Sequence, residues 1–225
     1  MTQSFIDLPL FPLHALIFPG GLLPLRIFEP RYVDMMSRCM RENQPFGICA
    51  IAAGKEIVDE SGQVATPHRV GTLVNIIDFK SLPDGLLGIL VQGQQKFEIN
   101  STRINHDNLL LGNITLLATE SAQTIHPQHQ HLVELLQRAW PDWMQHYGET
   151  MMQYIKPDFQ DAGWVSARLA EMLPLRLDVK QALLLTDDSQ ERMAVLDAAM
   201  AQLTVELGET MSEELDEVAA RVKIH

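Results

Sequence analysis

Apolar residues recur at a spacing of two along the first half of this chain and at three or four along the second. The change falls near residues 118–128, ATESAQTIHPQ. A period of two marks strands, whose side chains alternate between faces, and a period near 3.6 marks helices. Leu23, Leu25 and Ile27 share one face, with Pro24 and Arg26 on the other. Runs at 15–18, 46–52, 73–79, 86–91, 96–104 and 109–117 predict about six or seven strands. Leu8, Leu10 and Leu13 are interrupted by Pro9 and Pro12. Proline has no N–H for a ladder, so this segment is expected at a sheet edge or as an extended entry, not as a central strand. Pro19-Gly20-Gly21 and Pro83-Asp84-Gly85 read as turns. Glu29-Pro30 closes a strand and opens a helix, since proline suits the first helical position. Residues 54–69 are mostly polar and read as a long exposed loop or hairpin.

In the second half, Pro127 opens a helix in which Leu132, Leu135, Leu136 and Ala139 share a face, and Pro141 ends or kinks it. Trp164, Ala167, Arg168 and Glu171 stand at helical spacing, as do Val165, Leu169 and Met172; the second set is expected to be the buried one. Asp178 with Gln181 predicts a cap for a short helix over 179–185, and Asp188 with Glu191 repeats the device. Met193, Leu196, Met200, Leu203 and Leu207 form one stripe that Gly208 ends. Met211, Leu215, Val218 and Val222 predict a last amphipathic helix. Strands first and helices afterwards predict an α+β fold in two parts, β-rich over 1–118 and helical over 119–225.

Composition sharpens this in a few respects. At 46% hydrophobic and 20% charged the chain is that of a folded globular protein. Its net charge of −12 is uneven, −2 over residues 1–118 and −10 over 119–225. Polyanion binding needs clustered cations, so no nucleic-acid partner is expected. No apolar run is long enough to span a bilayer and no secretory signal opens the chain, so no membrane partner is expected either. Cys39 and Cys49 suit buried thiols in a reducing compartment, and the cytoplasm is the expected location.

Candidate chemistry is sparse. His126, His129 and His131 are a local cluster, but 131 would point away from the other two on a helix, so no metal and no cofactor are expected. Asp158, Asp161, Asp187 and Asp188 flank helix starts, where capping is the expected role. No nucleophile elbow, phosphate loop or zinc-protease helix motif occurs, so no catalytic residue is assigned. Trp140, Trp143, Tyr147 and Trp164 are expected to pack in a core. Arg26, Phe28, Glu29, Arg31 and Tyr32 bunch at a strand-to-helix turn and mix charge with aromatic area. They are the candidate partner-binding residues, the alternative being an internal Arg–Glu pair with ordinary helix capping.

An ordered series of short segments carries a family resemblance. Leu8-Pro9-Leu10, Phe18-Pro19-Gly20, Leu23-Pro24-Leu25-Arg26 and Phe28-Glu29-Pro30-Arg31-Tyr32 come first. Pro45-Phe46-Gly47, Val70-Gly71-Thr72-Leu73, Leu82-Pro83-Asp84-Gly85, residues 169–175 and residues 180–184 follow. Together, over about residues 8–205, they resemble the N-terminal substrate-binding domain of Lon proteases in a stand-alone form lacking the ATPase and peptidase domains. The resemblance implies a PUA-like β-rich pseudo-barrel followed by a helical bundle. It also implies a non-enzymatic module that binds a polypeptide or protein, as an adaptor in proteolysis or quality control, in a monomer or weak dimer. A PUA-like RNA binder and a small hydrolase are the alternatives. The expected mode is burial of a partner's apolar side chains in the crease between the two parts.

Overall fold

The computed structural model describes residues 3–54, 65–147 and 153–202. Strands come first: β1 (Ser4–Leu13), β2 (Leu22–Ile27), β3 (Phe46–Ala53), β4 (Thr66–Pro67), β5 (Val70–Ser81), β6 (Leu87–Ile104) and β7 (Leu110–Leu116). Helix α1 (Pro30–Glu42) lies between β2 and β3. After a 3₁₀ turn at Pro127–His129 come α2 (Gln130–Tyr147), α3 (Ala162–Met172), α4 (Leu177–Leu185) and α5, helical over residues 189–202. The fold is α+β, a β-rich pseudo-barrel followed by helices.

The order β1-β7-β6-β5-β3 returns to β1 and closes a ring. Its pairings are antiparallel except β1 with β3, which is parallel. β2 lies along β6 and β4 along β3, both outside the ring. Leu8, Leu10, Cys49, Leu73, Phe97, Ile99, Ile114 and Leu116 fill its interior. On a second face, α1 buries Tyr32, Met35, Met36 and Cys39 against Phe11, Phe46, Ile48, Val74 and Val91. The helices share a third cluster, built on Leu132, Leu136, Val165, Leu169, Leu184, Met193 and Leu196. Leu16, Phe18, Ala50 and Val70 of the β-rich part belong to that same cluster, so the helices sit on the barrel through one continuous apolar core.

Several elements differ from the pattern reading. β1 is a ring strand, not an edge: residues 4–9 pair with β7 and residues 10–13 with β3. Each half has one ladder partner, which is how Pro9 and Pro12 are accommodated. Residues 16–18 are buried and Ala15 half-buried, but they form no strand: the Ile17 carbonyl and the Phe18 amide are taken by the side chains of Thr72 and Glu171. The expected strands at 86–91 and 96–104 are one 18-residue strand, β6, which serves β2 along its first part and β7 along its second. Pro141 lies inside α2, which runs on to Tyr147. α3 buries Ala167 and Arg168 as well as Val165 and Leu169, so both expected faces are covered. Arg176, not Asp178, stands at the α4 N-cap; the Asp178 carboxylate pairs with Arg176, and Gln181 is buried and donates to the Val70 carbonyl. Residues 55–64, the stripe beyond residue 202, Gly208, the last expected helix and the Tyr147 side chain lie outside the described residues.

Candidate binding site at the junction

Residues 14–21 cross from the barrel to the helices as a strap. Toward the barrel, the Thr72 hydroxyl donates to the Ile17 carbonyl (2.6 Å). The Gly20 amide donates to Gly93 O (2.8 Å) and the Gly93 amide to Gly21 O (3.0 Å). The turn closes with Gly21 N on Phe18 O (3.0 Å), and Gly20 takes φ +74°, a conformation glycine adopts without steric cost. The expected turn at 19–21 is therefore formed.

Toward α3, the strap meets charge. Phe18 N donates to Glu171 Oε1 (2.9 Å), and Arg168 Nη2 donates to the Pro19 carbonyl (3.2 Å) and to Glu171 Oε1 (3.0 Å). Arg168 Nε lies 2.8 Å from Glu171 Oε2. The Arg168 side chain is fully buried and that of Glu171 is 10% exposed. Burial pushes the Glu171 carboxyl above the ordinary glutamate value, against the pull of Arg168. Lys180 donates to the Glu171 carbonyl (3.0 Å), and burial lowers its ammonium against the pull of the Glu171 charge.

Two hollows flank the strap. One, of about 170 Å³, is lined by Phe18, Pro19, Trp164, Lys96, Glu120 and Arg192 among others. The other, of about 280 Å³, is lined by Ala15, Leu16, Leu22, Leu23, Leu175 and Leu177 together with the polar His14, Glu171 and Lys180. A second ion network forms part of the first hollow's wall. Arg192 holds Glu120 with two 2.7 Å bonds, and Lys96 reaches Asp187 (2.7 Å), Glu120 (3.3 Å) and the Leu184 carbonyl (3.2 Å). These charges are engaged with one another and with backbone. What the junction offers a partner is a wall in which apolar side chains alternate with charged ones already paired within the protein.

The turn at 26–32 is less open than its composition suggests. Arg26 pairs with Asp84 at the tip of the β5–β6 hairpin, yet its side chain is 61% exposed. Phe28 projects outward at 53% exposure. Glu29 and Arg31 pair at 2.9 Å, and Arg31 also donates to Asn108 O (2.7 Å) while lying 4.4 Å over the Tyr32 ring. Tyr32 is buried against Phe11, with ring centroids 4.3 Å apart. The five residues are thus brought together, with Arg26 and Phe28 facing out and Tyr32 facing in.

Other candidates settle into structure. Trp140, Trp143, Phe159 and Trp164 pack ring to ring at 5.1–6.0 Å. His131 (2.8 Å) and His129 (3.8 Å) turn to Asp197 of α5. Asp161 accepts from the Gly163 and Trp164 amides at the α3 N-cap and from Gln123. Asp158 and Asp188 accept from the amides two residues on, whereas Asp187 pairs with Lys96. Burial pushes the Cys39 thiol up to about 11 and raises that of Cys49 further. Sequence reading missed Lys96, Glu120, Arg168 and Arg192 as junction residues. The one available signal was Arg168 and Glu171 at a spacing of three on a helix.

A family model described as the ATP-dependent protease La (LON) substrate-binding domain matches residues 7–200. The chain belongs to the Lon substrate-binding domain family. It resembles the crystal structure of a Lon N-terminal domain protein from Xanthomonas campestris, with a TM-score of 0.68 and 32% identity. That match covers 87% of this chain and 98% of the other. The N-terminal domain of the Mycobacterium avium complex Lon protease shares the fold at 16% identity and a TM-score of 0.58. Lon protease 1 of Syntrophobacter fumaroxidans is 25% identical over 219 residues, which is 96% of this chain and 26% of that protein. The chain spans about a quarter or less of the length of such Lon relatives. Among the described residues no helix is long and apolar enough to cross a membrane.

Proposed function

We propose that this Lon-family domain is a non-enzymatic module that binds unfolded or partly unfolded protein in the cytoplasm and acts as an adaptor for proteolysis or quality control. The observation that carries the reading is the family match over residues 7–200, together with two hollows beside the strap whose walls mix apolar and polar side chains. β2 links the two candidate regions. Its first residues, Leu22 and Leu23, line the second hollow, and it runs to the turn that displays Arg26 and Phe28. Six residues of strand extend about 20 Å, so an extended polypeptide lying along β2 meets both. Apolar side chains of the partner enter the crease, Arg26 and Phe28 contact it at the far end, and Glu29 and Arg31 hold the turn in shape around Tyr32. The division near residue 118 is the crease itself. The engagement of the junction's charged groups with one another supports binding over catalysis, and the acidic balance of the chain weighs against an RNA partner.

The test is retention on the immobilised 225-residue chain. Reduced, carboxymethylated lysozyme is expected to be retained and native lysozyme to pass. Leu23→Glu, which places a charge in the hollow, and Phe28→Ala are each expected to weaken retention. Equal passage of the unfolded and native forms discards the reading.

A further inference from the structure

Arg168 and Arg192 are the largest fully buried side chains among the described residues, and Arg168 lies in the junction with Glu171. Burying such a pair is a poor route to stability, because the desolvation cost offsets most of the attraction. What the pair does possess is direction. Its hydrogen bonds leave α3 and end on the backbone of the strap, at Phe18 N and Pro19 O, some 150 residues away along the chain. Residues 18–21 are held on their other side by backbone bonds to Gly93.

The fit is close enough to exclude even one carbon. A Cβ on Gly21 would lie 2.2 Å from Glu171 Oε1 and 2.8 Å from Arg168 Nη2, and one on Gly93 would lie 2.2 Å from the Phe18 carbonyl oxygen. The strap therefore meets β6 at a contact closed by backbone at Gly93, and meets α3 at Gly21, where a larger residue would have to displace the ends of Glu171 and Arg168. Both hollows take part of their lining from it, one from Phe18 and Pro19 and the other from Ala15 and Leu16.

We propose that Arg168 and Glu171 are positioning residues, which clamp the 14–21 strap to α3 and so keep the two hollows open in one fixed relation for a bound polypeptide. The inference rests on the binding reading above and adds to it the residues that preorganise the site. Preorganisation raises affinity by lowering the ordering cost that association otherwise carries.

The experiment uses the full chain and two readouts, amide hydrogen exchange and affinity for reduced, carboxymethylated lysozyme. In the double variant Arg168→Met/Glu171→Leu the pair is replaced by apolar groups of similar size, which keeps the core filled while removing the bonds to the strap. Exchange at the amides of Phe18, Gly20, Gly21 and Gly93 is expected to quicken by about tenfold or more, with β7 amides unchanged, because the opening is local. Affinity is expected to fall by about tenfold as the strap loses its fixed geometry. Glu171→Gln, which keeps an acceptor for Phe18 N but leaves the buried Arg168 charge without its counter-charge, is expected to quicken strap exchange by less than the double variant. Unchanged exchange at the strap, or a uniform rise across the molecule, overturns the clamp. If the double variant does not fold, Gly21→Ala displaces the pair from the strap side, and the same local quickening is required of it. Should wild type fail to bind the probe, the binding reading falls, while the exchange data still decide whether the strap is clamped.

Discussion

At Glu171 burial and charge act against each other. Desolvation raises its carboxyl above the ordinary glutamate value while Arg168, the Phe18 amide and Lys180 oppose the rise. In the window between the ordinary and the raised value, the folded protein holds a proton that the unfolded chain has released. Linkage then requires the contribution of Glu171 to stability to fall as pH rises through that window. Urea unfolding of wild type and Glu171→Gln between about pH 4 and pH 7, which spans the glutamate range, should show it. The stability of wild type relative to the variant is expected to decline with rising pH, and a flat or rising difference would refute the assignment. No residue count could have revealed this. Arg168 and Glu171 are visible in the sequence as a helical pair, but their burial depends on a strap far away in the chain.

Among the elements, α3 depends most on its first turn. Asp161 accepts from two α3 amides and from Gln123, tying the helix to the segment that leaves β7. Replacing it by alanine is expected to cost about 0.5–2 kcal/mol, the range for losing a side-chain N-cap. Urea midpoints of wild type and Asp161→Ala measure it, and a loss indistinguishable from zero would contradict the cap. The capping role of Asp161 was legible from its place before a helical pattern. The α4 cap was misread because Asp178 and Gln181 have the right spacing, while Arg176 and Val70 compete for their side chains. The strand at 15–18 was misread for a related reason: an apolar run shows burial, not the partner of its backbone.

At the scale of the molecule, the barrel and the helices share one apolar cluster, with Leu16, Phe18, Ala50 and Val70 packed among helical residues. Opening one part exposes the other, so the described parts are expected to unfold together. All three tryptophans lie in the helical half, at positions 140, 143 and 164, whereas far-UV circular dichroism reports both halves. The two signals should trace one coincident urea transition; separate midpoints would mean that the halves stand independently. The sequence by itself determined that a strand-rich part precedes the main group of helices, the turns at glycine and proline and the face of β2, and its ordered segments carried the family resemblance. The layout, the turns and the strand face arise from local periodicity and backbone preference. Only the tertiary structure decided that β1 closes a ring, that β6 is one strand, and that Arg168, Glu171, Lys96 and Arg192 meet at the junction. These arise from contacts between residues distant in the chain, and such contacts form only when the ring closes and the helices settle on it.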